Sequence, residues 1–302
     1  MDFYLERKDY NSMITIKLFI PSGCNAKCEF CYMKDCIDVI NNNDKDIFLN
    51  NFIDSLDYLL TEINDKNKVS LDITGNEPTF DKELLIEVMK RLKEFNIKEK
   101  VSRVTITTNG LNLEHVLPYF KDVISYVNIS VHHFNQDIRN YIFGCKSLRF
   151  YNYLNCISEL EKLGIPCSAV CVVYRPILDF ETFMDRFILW CRQAGFISLR
   201  FRNDVFWEDS CFESYMDIAL ADPSFKIISN EDTKDSRWCR LRLYDGFRVF
   251  FLKGVKDTSV VSPGVEYAIL DDGKAYADFY KRNKIEDYAF KIGKVYDKFN
   301  IQ

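Results

Sequence analysis

Three cysteines have the spacing of metal ligands. Cys24, Cys28 and Cys31 lie within eight residues of one another, directly after an apolar segment that predicts a first strand. Thiolates are soft ligands that suit iron–sulfur clusters or zinc. A short loop can place three of them on three corners of a cubane cluster and leave one iron open for another ligand. Zinc prefers a fourth protein ligand, for which Cys36 is available, and zinc therefore remains an alternative.

The remaining cysteines are predicted to be mostly core residues. The chain contains 11 cysteines among 302 residues, a length at which the core needs no disulfide bonds. Its N-terminus lacks the apolar stretch of a secretion signal, which predicts a cytoplasmic protein with reduced thiols. The cysteines outside the loop show no second cluster spacing, so we expect a single cluster and small apolar packing roles for the others.

Charge and hydropathy disfavour two classes of partner. The net charge of -5 does not predict a basic nucleic-acid surface. The longest nearly apolar run, from Ile165 to Tyr174, is about half of a membrane span. We therefore expect neither a nucleic-acid partner nor a membrane segment.

Strand-like and helix-like patterns alternate along the first two thirds of the chain. They predict six strands, at 14–20, 69–74, 101–107, 126–131, 167–174 and 196–201, with helices between them. This order indicates an α/β fold of βαβ units around a parallel sheet. A complete barrel needs eight strands, so we predict an open or partial (β/α)6 barrel, with ligands at the carboxyl ends of the strands.

The pattern changes after residue 205. Residues 206–240 look irregular, and beyond them strand-like segments and a tight turn at Asp271–Lys274 indicate a β-hairpin. We predict a core domain over residues 1–205 and a small β-rich extension over residues 206–302. The hairpin is a candidate to close the mouth of the barrel.

Two polar motifs follow predicted strands. Thr74–Thr79 contains a glycine that allows close backbone approach, and Thr107–Gly110 ends in Asn-Gly, a strong turn signal. Of His132 and His133, at most one faces the lumen, because successive strand residues point to opposite faces. His132 is a candidate substrate contact, with a purely structural histidine as the alternative.

The cysteine loop resembles the hallmark of the radical S-adenosylmethionine (radical SAM) superfamily, CxxxCxΦC with Φ aromatic. Cys24, Cys28, Phe30 and Cys31 match it. Thr74–Thr79 is similar to the GGEP motif, with Asn76 in place of the second glycine, and Thr107–Gly110 is similar to the TTNG motif of several branches. The resemblance covers about residues 12–205 and implies the partial barrel of that superfamily.

The resemblance implies a role for each matched position. Cys24, Cys28 and Cys31 would ligate one [4Fe–4S] cluster, whose open iron would be chelated by the amino and carboxylate groups of SAM. The positions that the resemblance places around SAM are Phe30 and Tyr32 at the adenine, Gly75, Asn76 and Glu77 at the ammonium, Asn109 of the TTNG motif, Ser130 at the ribose and Arg139 at the carboxylate.

Arginines on the sixth strand suggest an anionic substrate. Arg200 and Arg202 alternate and therefore share one face, and further basic residues follow at Arg237, Arg240, Arg242 and Arg248. Guanidinium groups suit carboxylate or phosphate recognition. Ion pairs with the acidic residues of the chain are the alternative explanation.

The resemblance implies a radical enzyme. Its activity would be reductive cleavage of SAM to a 5′-deoxyadenosyl radical that abstracts hydrogen from a peptide or a small biosynthetic intermediate. An electron donor such as flavodoxin or ferredoxin would be a partner, and Cys145 and Cys171 are candidate thiyl donors. Only about 13 residues precede the first strand, too few for a leader-peptide-binding domain. The alternatives are a glycyl-radical-enzyme activase and, in a different class, a zinc-stabilised binding protein without catalysis.

Overall fold

A computed structural model describes residues 14–31, 45–63, 69–145, 150–174, 177–203, 211–232, 237–243, 245–253 and 266–276. Its strands are β1 (Ile14–Ile20), β2 (Val69–Gly75), β3 (Arg103–Thr108), β4 (Tyr126–Ser130), β5 (Cys167–Val173), β6 (Ser198–Asn203), β7 (Phe225–Asp232), β8 (Arg237–Leu243), β9 (Arg248–Lys253), β10 (Glu266–Ile269) and β11 (Ala275–Tyr276).

Helices separate the strands of the first two thirds. They are α1 (Lys45–Ile63), α2 (Lys82–Glu94), the short α3 (Ile97–Lys100), α4 (Gln136–Ile142), α5 (Phe150–Lys162), α6 (Phe180–Ala194) and α7 (Cys211–Ala221). The sequence pattern also predicts a short helix at 113–120, where the structure instead has two 3-10 turns, Leu113–His115 and Leu117–Tyr119. Pro118 in the second turn lacks a backbone N–H, which disfavours a continuous helix there.

The strands form one sheet in the order β11-β10-β1-β2-β3-β4-β5-β6-β9-β8-β7. β1 to β6 are parallel and adjacent in sequence order, which confirms the predicted α/β fold. The C-terminal third extends this sheet at both ends, because β9 pairs parallel with β6 and β10 pairs parallel with β1. A domain boundary near residue 205 stays a prediction.

The two faces of the sheet differ in chemistry. Every second strand residue, such as Leu18, Leu71 and Ile106, is buried in one large apolar core with α1, α2, α5, α6 and α7. The alternate positions point to the opposite face, which we call the open face. It carries mostly polar residues, among them Lys17, Asp72, Thr105, Tyr126, Asn128, Ser130, Ser168, Arg200 and Arg202.

The prediction of irregular structure at 206–240 is wrong. This region contains α7 and the antiparallel strands β7 and β8. In α7 the buried residues Phe212, Tyr215, Met216 and Ala219 recur at helical spacing. In β8, arginines alternate with the buried Cys239 and Leu241, so the charges concealed a strand pattern.

The predicted C-terminal hairpin is present as β10 and β11. Its turn docks on α1, where Asn51 donates to the carbonyl of Asp272 at 3.0 Å and Ser55 to that of Gly273 at 2.8 Å. Tyr276 packs with Phe19 on the open face, in a small cluster that Cys31 also contacts. Closure of the mouth by this hairpin stays a prediction. No described helix is long and apolar enough to cross a membrane.

Candidate functional site

The end of β2 fixes the start of the cysteine loop. Ser22 donates to the carbonyl of Glu77 at 2.7 Å, and the Asn76 amide donates to the carbonyl of Ser22 at 3.1 Å. Gly75, at φ +152°, comes so close to β1 that an added Cβ would lie 2.7 Å from the carbonyl oxygen of Ile20. The two strand ends can meet because this position lacks a side chain.

The end of β3 holds the same loop from another side. The Asn109 amide donates to the Asn25 side-chain oxygen at 2.8 Å and lies 3.9 Å from the sulfur of Cys24. Cys24 sulfur also accepts from the backbone of Ala26 at 3.3 Å. The carbonyl of Asn109 accepts from Tyr153 of α5 at 2.8 Å. Asn109 therefore links the loop to the helical layer.

Glu77 ties the two motifs together from within. Its carboxylate is buried and accepts from Thr108 at 2.5 Å, from the hydroxyl and backbone N–H of Thr79 at 2.7 and 3.0 Å, and from the backbone N–H of Asn109 at 2.6 Å. Burial raises the pKa of Glu77, whereas these hydrogen bonds lower it. A carboxylate held this way fixes the relative positions of the β2 and β3 ends.

A third support comes from α4, which the sequence patterns did not reveal. The carbonyl of Phe143, just after this helix, accepts from the backbone N–H of Lys27 at 2.7 Å. Gly144, at φ +58°, lies against Lys27, and an added Cβ would be 3.1 Å from the Lys27 Cβ. The available signal was Asn135, whose side chain caps the helix by accepting from the N–H groups of Asp137 and Ile138.

The three thiols of the loop are half-buried, and none of the described cysteines forms a disulfide. Burial, with a smaller contribution from the nearby Cys31, raises the pKa of Cys24 to about 11 and that of Cys28 to about 12. Metal binding would have to displace their protons.

No group of three or more described His, Cys, Asp and Glu residues is arranged to hold a metal ion. A cluster is larger than an ion, and its thiolate ligands need not converge on one point. Three adjacent soft donors on one loop fit a cluster.

One acceptor beside the loop lacks a donor. The side-chain oxygen of Asn76 is buried and has no hydrogen-bond partner among the described residues. An unpaired buried acceptor is costly, and an ammonium group is a donor that could satisfy it. This position is where the resemblance places the SAM ammonium, so the residues present fit that ligand.

Aromatic rings surround Phe30 of the loop. Its centroid lies 4.8 Å from that of His132, edge to face, and 5.2 Å from that of Tyr174. His132 is buried, its Nδ1 accepts from the backbone N–H of Val172 at 3.1 Å, and burial lowers its pKa to about 3. His132 is thus a neutral neighbour of the cysteine loop, and its contact with substrate stays a prediction.

The other predicted SAM contacts lie at different depths. Ser130 is half-buried at the carboxyl end of β4, on the open face. Arg139 is fully buried between the rings of Tyr153 and Trp190, at 5.4 and 5.1 Å, and donates to the carbonyl of His133 at 3.3 Å. Arg139 contacts Tyr153, which in turn donates a hydrogen bond to Asn109 beside the cysteine loop. A direct contact of Arg139 with SAM stays a prediction. Tyr32 and Cys36 lie outside the described residues.

The arginines separate into two groups. Arg200, Arg202, Arg240, Arg242 and Arg248 lie on the open face by strand register. Arg237 points to the helix side, where it pairs with Asp217 of α7 at 2.5 Å. For Arg237 the alternative explanation, an ion pair with an acidic residue, therefore holds.

The remaining described cysteines divide by burial. Cys156, Cys167, Cys171, Cys191 and Cys239 are buried in the core, as expected, and Cys145 and Cys211 are half-buried. Cys171 points to the helix side and donates to the carbonyl of His132 at 3.4 Å. A thiyl role for Cys171 or Cys145 stays a prediction.

Curated relatives match parts of the chain. An S-adenosylmethionine-dependent nucleotide dehydratase of Fibrobacter sp. (strain UWH6) is 30% identical over 127 residues, which are 40% of this chain and 34% of that protein. A Methanocaldococcus jannaschii protein named as a candidate glycyl-radical enzyme activating enzyme is 27% identical over 156 residues, 51% of this chain and 53% of that protein. The matches thus span about one third and one half of these relatives.

A solved structure shares the fold. The crystal structure of Streptococcus suis SuiB bound to S-adenosylmethionine aligns with a TM-score of 0.50 and 17% identity, over 70% of this chain and 46% of that one.

A family model, that of the Radical SAM superfamily, matches residues 18–186. This range is more than half of the chain and contains the cysteine loop and both polar motifs. The chain therefore belongs to the radical SAM superfamily, whose enzymes bind a [4Fe–4S] cluster and SAM.

Proposed function

We propose that this enzyme holds one [4Fe–4S] cluster through Cys24, Cys28 and Cys31 and cleaves SAM to act on a substrate on the open face. The carrying observation is that three separate supports, from β2, β3 and α4, hold one loop with three adjacent half-buried thiols. When bound and reduced, the cluster supplies the electron that splits SAM into methionine and a 5′-deoxyadenosyl radical.

The protein positions SAM and encloses the site of the radical. Gly75 lets the strand ends meet, Asn76 offers its unsatisfied oxygen to the ammonium of SAM, and Ser130 faces the region of the ribose. Phe30, in its aromatic surroundings, shields the loop on the side of His132. Enclosure protects a reactive radical from side reactions.

The open face accommodates the substrate. It is the polar side of the sheet, and the helices pack on the other side. Hydrogen abstraction converts the radical to 5′-deoxyadenosine and leaves a substrate radical. We favour a small biosynthetic intermediate, since polar and cationic side chains line this face, and we keep a peptide as the second form of substrate. The electron would come from a donor such as flavodoxin or ferredoxin.

Glycyl-radical-enzyme activation is the second candidate function. It is supported by the similarity of half of this chain to the M. jannaschii protein. An activase would leave its radical on a glycine of a partner protein, where electron paramagnetic resonance detects it, whereas small-molecule chemistry would leave a modified metabolite.

The test is anaerobic reconstitution with iron and sulfide, followed by reduction with dithionite in the presence of SAM. We expect about four irons per chain and formation of 5′-deoxyadenosine. Cys24→Ala, Cys28→Ala and Cys31→Ala should each abolish that product, while Cys211→Ala, in α7, should not. An intact cluster without any 5′-deoxyadenosine, or equal activity in the loop variants, would contradict the proposal.

A further inference from the structure

The open face concentrates positive charge. Register places Arg200 and Arg202 of β6 and Arg248 of β9 on it, and their cross-strand partners on β8 include Arg240 and Arg242. Lys17 and Arg103 lie further along the same face. The same registers place three acidic residues on this face, Asp72 of β2, Glu231 of β7 and Glu266 of β10, against the seven basic residues just named. This face is therefore strongly cationic in a protein whose net charge is -5.

Arg200 is held by aromatic rings. Its guanidinium carbon lies 5.9 Å from the centroid of Tyr126 and 5.5 Å from that of Phe250. No hydrogen bond or ion pair joins this guanidinium to another described residue. Cation–π contacts orient the group while leaving its donors available for a ligand.

Arginines on the helix side and at the surface behave differently. Arg237 pairs with Asp217, and Arg192 pairs with Asp245. The explanation by ion pairs, which the acidic composition favoured, thus holds for these residues. It does not account for Arg200, which is half-buried and forms no ion pair with another described residue.

Register connects Arg200 to the SAM region. Ser130, Val170, Arg200, Phe250 and Arg240 form one row across five adjacent strands. Neighbouring strands lie about 4.8 Å apart, so Arg200 is roughly 10 Å from Ser130 and Arg240 roughly another 10 Å beyond. A ligand bound by these arginines would extend from the SAM region across the sheet.

We use the name arginine row for Arg200 and Arg240 of this row together with the flanking Arg202 and Arg248. We infer that the arginine row binds a small substrate that carries two or more linked phosphoryl groups. The inference rests on the proposed function, because it takes the reacting end of the substrate to lie near SAM. Several guanidinium groups on three strands match an extended polyanion better than a single carboxylate, and planar forks suit phosphate oxygens.

The experiment uses the reconstituted holoenzyme with SAM, and inorganic tripolyphosphate is the probe. Its binding is measured by anaerobic calorimetry, with citrate as a carboxylate probe of comparable charge. We expect saturable tripolyphosphate binding that Arg200→Gln weakens by about tenfold or more, which is about 1.4 kcal/mol, since the substitution removes charged donors to the phosphoryl oxygens. Arg200→Lys should recover part of the affinity, because it keeps the charge and loses the fork.

The controls separate folding and chemistry from binding. Arg192→Gln removes an exposed charge from the other side of the molecule and should leave binding unchanged. If Arg200→Gln unfolds, Arg202→Gln serves instead, since its side chain is exposed and its loss leaves the core intact. Cleavage of SAM by dithionite-reduced enzyme is measured on the same samples, so failure of the radical chemistry is seen independently of binding.

The outcomes are distinct. Binding that depends on Arg200 or Arg202 supports the inference. Absent binding by the wild-type holoenzyme, binding that neither substitution alters, or stronger binding of citrate than of tripolyphosphate would overturn it.

Discussion

The backbone N–H of Asn109 donates to the carboxylate of Glu77 at 2.6 Å. This bond joins the residue after β3 to a residue just after β2, and both residues also contact the loop that carries the three cysteines. The geometry of the thiols therefore depends on a buried hydrogen-bond network, in which the carboxylate of Glu77 accepts from Thr79, Thr108 and Asn109.

Replacing Glu77 with glutamine should weaken this hydrogen-bond network. The substitution keeps the shape of the side chain but puts an amide donor where one carboxylate oxygen faces the N–H of Asn109 or the donors of Thr79 and Thr108. We expect the free energy of unfolding to fall by about 2–3 kcal/mol, because a buried donor loses its acceptor. Urea titration of the full chain measures it, and Glu87→Gln, at an exposed ion pair of α2, should change stability by less than about 1 kcal/mol. Equal effects of the two substitutions would show that this hydrogen-bond network does not contribute to the free energy of unfolding.

Replacing Asn109 with alanine should impair assembly of the cluster more than folding. It removes the amide that contacts Asn25 and Cys24, while the backbone bonds to Glu77 and Tyr153 stay. We expect less iron bound per chain after reconstitution and a smaller loss of stability, about 1–2 kcal/mol. Iron analysis and urea titration are compared with Asn230→Ala on the exposed edge strand β7. Full iron content in Asn109→Ala would contradict the role of this amide.

Local patterns were sufficient for the parallel core of the sheet, though not for β7 and β8, and they indicated soft metal ligands in the loop. Alternating apolar residues predicted the six core strands, and the spacing of Cys24, Cys28 and Cys31 indicated a cluster. The supports were not predictable, because they join positions distant in sequence: Phe143 to Lys27, Tyr153 to Asn109, and Ser22 to Glu77. Such contacts depend on how the elements pack, which periodicity does not encode.

The surroundings of the sheet arginines and of Arg139 likewise could not be predicted from local patterns. Spacing placed Arg200 and Arg202 on one face, but only the register with β9 and β8 shows which later arginines join them. Spacing also could not show that Arg139 is enclosed by Tyr153 and Trp190.

Gly75 and Gly164 offer a matched pair of substitutions. Both have positive φ, but an added Cβ at Gly75 would lie 2.7 Å from the Ile20 carbonyl oxygen, whereas at Gly164 it would meet nothing within 4 Å. Gly164→Ala should cost about 1–2 kcal/mol from backbone conformation alone. Gly75→Ala should cost a further ~1–3 kcal/mol from steric overlap, and should also lower iron content by displacing the β2 end from the loop. Thermal unfolding and iron analysis of both variants check this, and equal losses would show that the strand ends can relax apart.

His132 should make stability depend on pH. Burial lowers its pKa to about 3, from an ordinary value near 6.5, so the folded protein keeps it neutral. As the pH falls below about 6.5 the unfolded chain binds a proton that the folded chain does not, and stability is lost toward acid at up to about 1.4 kcal/mol per pH unit. His132→Asn keeps an acceptor for the Val172 N–H and does not titrate, so its stability should decline less between pH 7.5 and 5. Urea titrations of the iron-free full chain at several pH values measure the difference between the two proteins. Parallel pH profiles would show that folding does not lower the pKa of His132, and would remove the argument that it stays neutral beside Phe30.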